Sequence, residues 1–164
     1  MKVYDCFSYW DEDLLLEIRL NILNDYVDYF VIVEGNKTWQ NNTKKLQFNI
    51  NNFKKFKDKI NYVIVDKQPP NISEINTDDN LEKKGQKLIH NGYARDNYQR
   101  NRLEEGIEEA LDEDLIIISD LDEIPNLTNV RFNEVKNKII QFKQKMFYYK
   151  LNLYYQEFDW FGTK

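Results

Sequence analysis

The chain has 164 residues, 41% hydrophobic and 31% charged, with a net charge of −5, which suits one domain with a substantial core. The acidic balance, without a long basic run, excludes a nucleic-acid partner held by phosphate neutralisation. One cysteine and one histidine exclude a disulfide framework, a thiolate zinc site and a histidine-rich metal site.

The N-terminal MKVYDCFSYWDED has no long apolar run, so neither a signal peptide nor a membrane span is predicted and the chain reads as cytoplasmic. KVYDCFSY (2–9) is short, aromatic and β-prone, with Cys6 as a small core residue. In WDEDLLLEIRLNILNDY (10–26), Leu14, Leu15, Ile18, Ile22 and Leu23 are spaced for one helix face, behind an acidic first turn. YFVIVEG (29–35) is a buried strand ending in Glu34-Gly35, and INYVIVD (60–66) is a third strand before Pro69-Pro70.

Residues 71–84 are polar and weakly periodic, a surface loop, and His90 beside Asn91 and Gly92 reads as a loop residue. YARDNYQRNRLEEGIEEAL (93–111) is a long helix running into the strand LIIISD (115–120). TNVRFNEVKNKIIQFKQ (128–144) predicts another helix, and KMFYYKLNLYYQEFDW (145–160) one alternating aromatic strand. Strands separated by helices predict an α/β fold with a mostly parallel sheet, in a single domain over 1–164.

LIIISDLDEIP (115–125) poses the functional question, since four aliphatic residues lead directly into Asp120, Asp122 and Glu123. Carboxylates this close repel one another, and burying one unpaired is costly, so a positive group belongs beside them. In open α/β sheets ligands bind beyond the carboxyl ends of the strands, where this segment falls. Strand alternation puts Asp120 and Asp122 on one side. Two carboxylates without nearby His or Cys suit a hard Mg²⁺ or Mn²⁺ ion that bridges substrate phosphates. Pro125 fixes the chain just beyond.

In the preceding helix Arg95, Gln99 and Arg102 share one side, with Asp96 and Arg100 on an adjacent one. Guanidinium forks match phosphate oxygens, so these arginines suit the far side of a diphosphate site. Glu34 suits either hydrogen bonds to a nucleoside or a turn cap.

With FVIVEGNKTW, YARDNYQRNRLEEGI, LIIISDLDEIP and WFGTK in this order, the chain resembles the family 17 glycosyltransferases. That is the family of β-1,4-mannosyl-glycoprotein 4-β-N-acetylglucosaminyltransferase. The resemblance implies a GT-A, Rossmann-like fold, a UDP-sugar donor carrying N-acetylglucosamine, a glycan or other hydroxyl acceptor, and Mn²⁺ or Mg²⁺ at Asp-X-Asp. By position, Asp122 would ligate the metal and Asp120 would touch the ribose or a metal-bound water. Glu34 would lie near the nucleoside, and Arg95 and Arg100 would bind the donor. Inversion at the anomeric carbon needs a base, for which Glu157 or Asp159 is the expectation, with Trp160 stacking on an acceptor sugar. The family's sequence is expected to continue beyond WFGTK.

Two other readings stay open at this point. Phosphatases of the haloacid dehalogenase type also place Asp-X-Asp after a strand, but in the first strand, with Thr or Val where this chain has Ile124. A catalytically inactive nucleotide-sugar- or glycan-binding remnant would keep the cluster without turnover.

Overall fold

The computed structural model describes residues 1–135, 137–149 and 152–162. Four strands, β1 (Val3–Ser8), β2 (Tyr29–Gly35), β3 (Ile60–Val65) and β4 (Leu115–Ile118), form one parallel sheet in the order β3-β2-β1-β4. Helices α1 (Asp13–Leu23) and α2 (Leu81–Asn101) flank it, giving the α/β Rossmann-like architecture the sequence predicts.

Cys6 lies opposite Val31 on one side and Ile118 on the other, which fixes β1 at the centre. Covered on both faces, the central strands are almost continuously apolar, as buried parallel strands must be. Their alternation builds two cores. Phe7, Phe30 and Ile32 pack with Leu16, Leu20 and Leu23 of α1. Tyr4, Cys6, Val31 and Val33 pack with Leu103 from the 3-10 turn Arg102–Ile107. Each such fully buried Leu or Phe contributes about 1.5–3 kcal/mol.

Helix α1 buries Leu16, Arg19, Leu20 and Leu23, so of the predicted face only Leu23 is buried, with Leu15 packed partly against the core. Leu14 is 73% exposed, and Ile18 and Ile22 are also on the surface. Two stripes in this helix fit a helical period. The buried one contains an arginine, so it looked broken as a hydrophobic pattern.

Helix α2 begins a dozen residues earlier than predicted, so that Leu81–Lys84 and His90 are helical. Asn80 caps it by accepting the Lys83 N–H at 2.8 Å. Its weak periodicity has a plain cause, because only Asn91, Gly92 and Ala94 are buried along its length.

Among the described residues of 128–144 the predicted α-helix is absent, and Phe132–Glu134 makes a 3-10 turn there. Val130, Phe132 and Phe142 pack instead on the α1-side core, in a segment whose Asn and Val residues are weak helix formers. The aromatic run 145–160 is not one strand but an antiparallel ribbon of β5 (Gln144–Phe147) and β6 (Tyr154–Trp160). No Gly or Pro announces the reversal. Tyr149 takes a left-handed backbone (φ 57) and the Tyr148 N–H bonds the Leu153 carbonyl at 3.0 Å. Among the described residues no helix is long and apolar enough to cross a membrane.

Candidate functional site

The sheet order reverses at β1, since β2 lies on one side of it and β4 on the other. Such switch points open a crevice beyond the carboxyl ends of the strands. A cavity of about 570 Å³ lies there, lined from β1 onward by Ser8, Trp10 and Glu12, from the 36–43 loop by Lys37 and Trp39, from α2 by Arg95, Asp96, Gln99 and Arg100, and after β4 by Asp120 and Asp122. Four expected site residues (Arg95, Arg100, Asp120 and Asp122) therefore share one space.

The positive group that the sequence demanded beside Asp120 is Arg100. Its Nη2 lies 2.7 Å from Asp120 Oδ1, and its Nε donates to Asp96 Oδ2 at 3.1 Å. Burial pulls the Arg100 pKa down, but the Asp120 and Asp96 carboxylates more than reverse it, leaving it raised. Arg95 acts differently. Its Nε donates to Gln68 Oε1 at 2.8 Å and its Nη1 to the Trp39 carbonyl at 2.9 Å, and burial lowers its pKa. It ties the 36–43 wall to α2.

Asp122 is exposed on the cavity rim. Asp120 and Asp122 offer only hard oxygen donors, and among the described residues no group of three or more His, Cys, Asp or Glu could cage a metal. That donor set fits a Mg²⁺ or Mn²⁺ ion completed by water and phosphate oxygens. It does not fit a closed zinc site.

Glu34 is placed otherwise than expected. It is fully buried and does not line the cavity. Its Oε1 accepts from Lys44 Nζ and, at 2.8 Å, from the Gln47 N–H; its Oε2 accepts from the Phe48 N–H at 3.1 Å and Tyr62 Oη at 2.8 Å. With four internal donors, it fastens the 44–48 segment and has no capacity left for a nucleoside. Lys44 extends the effect to the cavity, because its ammonium sits 4.6 Å from the Trp10 ring centroid and donates to the Trp10 carbonyl at 3.2 Å.

Glu157 and Asp159 lie on the exposed strand β6. Asp159 pairs with Lys143 at 2.6 Å. Neither is among the described residues lining the cavity, so the structure does not bring either expected base to it. Trp160 does approach the site. Its Nε1 donates to Glu123 Oε1, and with Arg100 and Asp120 it lines an adjoining recess of about 370 Å³. Thr163 and Lys164, the end of the WFGTK run, lie outside the described residues.

Sequence reasoning missed the pair beneath the site. Arg19 and Asp5 have fully buried side chains and bond through Arg19 Nε to Oδ2 (2.8 Å) and Nη2 to Oδ1 (2.7 Å). A lone acid in an apolar strand and a lone base in the next apolar helix were the available signal, since buried charges occur in pairs.

The cavity wall at Trp39 depends on Gly92. A Cβ there would stand 2.0 Å from Trp39 Cε2 and 2.2 Å from its Nε1, while Trp39 packs edge-on against Tyr93 at 5.0 Å. Gly92→Ala is expected to displace the indole, lower stability by about 1–3 kcal/mol and change tryptophan emission. Urea denaturation followed by fluorescence reads both, and a wild-type spectrum and midpoint would refute the packing account.

The sequence model of Glycosyltransferase family 17 matches residues 1–163. No curated protein and no solved structure matches the chain.

Proposed function

The chain belongs to glycosyltransferase family 17, and on that premise we propose that it transfers N-acetylglucosamine from a UDP-linked donor to a glycan hydroxyl, with inversion, using Mn²⁺ or Mg²⁺ at Asp120 and Asp122. The observation carrying this reading is that both carboxylates share the switch-point cavity with Arg95 and Arg100. Family membership displaces the phosphatase reading.

Asp122 and Asp120 would hold the divalent ion, which would supply positive charge to the departing diphosphate. The protein's own groups account for the rest. Arg100, held between Asp96 and Asp120, presents a fork that matches phosphate oxygens. Its passage from Asp120 to the diphosphate keeps each charge paired as the site fills. Arg95 fixes the Trp39 wall, and Trp10 and Trp39 give the cavity apolar surface that excludes water around the reacting bond. The acceptor approaches from the recess beside Trp160, whose ring offers a stacking face. A base must then take the acceptor proton. Besides the Asp-X-Asp pair, Glu12 and Asp96 are the carboxylates lining the cavity, which makes them better placed than Glu157 or Asp159.

Calorimetric titration of UDP and of GDP, each with Mn²⁺ and with EDTA, tests the donor assignment. UDP is expected to bind with Mn²⁺, to lose binding in EDTA and to outcompete GDP. Binding that ignores EDTA would remove the metal from the mechanism, and a preference for GDP would overturn the uridine donor.

A further inference from the structure

The five N–H groups of Arg19 reach six acceptors, and four of these belong to the segment that carries the Asp-X-Asp carboxylates. A buried guanidinium needs an anion, and Asp5 meets that need with two bonds. The remaining donors are not scattered. Nη1 donates to the carbonyls of Asp120 (2.8 Å), Leu121 (3.1 Å) and Glu123 (3.2 Å), and Nη2 to Ser119 Oγ (2.6 Å). All four acceptors fall within 119–123.

We propose that Arg19, fixed by Asp5, is the positioning residue of the transferase site: it sets the backbone of residues 119–123 and thereby the directions of the Asp120 and Asp122 carboxylates. The role in transfer rests on the donor reading above; the role in ordering the turn does not.

The geometry explains why an arginine is needed. Three carbonyls drawn onto one nitrogen turn the backbone oxygens of the segment inward. Leu121 is buried in the α1-side core, and the carboxylates on either side of it line the cavity. Asp5 belongs to the central strand, paired with Ile117 of β4, and Arg19 to the helix packed on it. The clamp is therefore mounted on rigid elements, which hold a site better than its own turn can. The planar guanidinium also rests 4.5 Å from the Phe7 ring centroid, which fixes its plane. A lysine ammonium keeps the charge but lacks the fork that spans carboxylate and turn together.

Arg19→Lys separates the two functions. In metal-free protein, hydrogen exchange of amides 120–123 is expected to accelerate at least about tenfold while the amides of β1 and β2 keep their protection. The Mn²⁺ concentration supporting UDP binding is expected to rise about 10- to 100-fold per folded molecule, the usual scale for losing a partner behind a metal ligand. Exchange that accelerates evenly through the core, with wild-type Mn²⁺ dependence in the folded fraction, would reduce Arg19 to a stability element and overturn the proposal.

Should Arg19→Lys fail to fold, the double variant Asp5→Leu/Arg19→Met replaces the pair by apolar groups, a change that is often neutral for stability. It is expected to fold with a loosened 119–123 turn. A turn as protected as in the wild type would overturn the proposal. Because exchange is read without nucleotide, a wild type that does not bind UDP refutes the donor reading and leaves this test standing.

Discussion

Replacing Asp122 with Ala is expected to lower glycosyl transfer by about 10³-fold, equivalent to roughly 4 kcal/mol of transition-state stabilisation, with stability unchanged within about 0.5 kcal/mol. The separation follows from where the side chain stands. Asp122 is exposed on the cavity rim, and among the described residues its carboxylate has no hydrogen-bond or ion-pair partner. Its removal therefore disturbs no packing, and on the proposed reading what is lost is its charge toward the divalent ion.

Asp120 makes a useful contrast, because its loss also frees Arg100 from a 2.7 Å ion pair and so mixes two effects. Transfer assays at saturating donor, paired with thermal melts, read both quantities for Asp122→Ala. Activity within tenfold of wild type would remove Asp122 from the metal site.

A large stability loss is also expected at Glu34. Glu34→Ala leaves the Lys44 ammonium, whose side chain is only 10% exposed, without its carboxylate. It also orphans the Gln47 and Phe48 N–H groups and the Tyr62 hydroxyl. Breaking one side of a buried pair costs about 3–5 kcal/mol, a large fraction of the stability of a domain this size.

Glu34→Gln keeps the shape and part of the hydrogen bonding, so it is expected to fall between Ala and wild type. Equilibrium urea unfolding measures the series, and a loss below about 1 kcal/mol for Glu34→Ala would contradict the network. Trp10 adds a local signal. Once Lys44 loses its anchor, the indole it covers is expected to change emission at denaturant concentrations where the fold persists.

What was legible in the sequence was what is local. YFVIVEG became β2 residue for residue, because a strand buried on both faces needs no partner information to be recognised, and the aliphatic run before Asp120 became the edge strand β4. The two carboxylates of the site were legible for the same reason: their oddity lies within four neighbouring positions.

The failures share an opposite cause. The face of α1 was misassigned because Arg19 is apolar in effect only when Asp5 neutralises it. Glu34 looked available because its partners lie ten to twenty-eight residues away. The ribbon looked like one strand because a positive φ at Tyr149 leaves no mark in composition. The helical reading of 128–144 gave way to contacts with the core that local propensity does not contain.

The central position of β1 has a consequence for how the protein is made. Its pairing with β2 joins neighbours in the chain, but its pairing with β4 joins Val3 to Leu115, and contacts so remote in sequence form late and slowly. As the chain leaves the ribosome, β1, β2, α1 and β3 are complete while the second edge of β1 still waits. Throughout that interval Arg19 has Asp5 as its anchor but none of its carbonyl acceptors, and the unpaired edge is open to the wrong strand. Arrival of residues 115–123 closes the sheet and engages the guanidinium together, so the switch-point crevice appears only when the topology is complete.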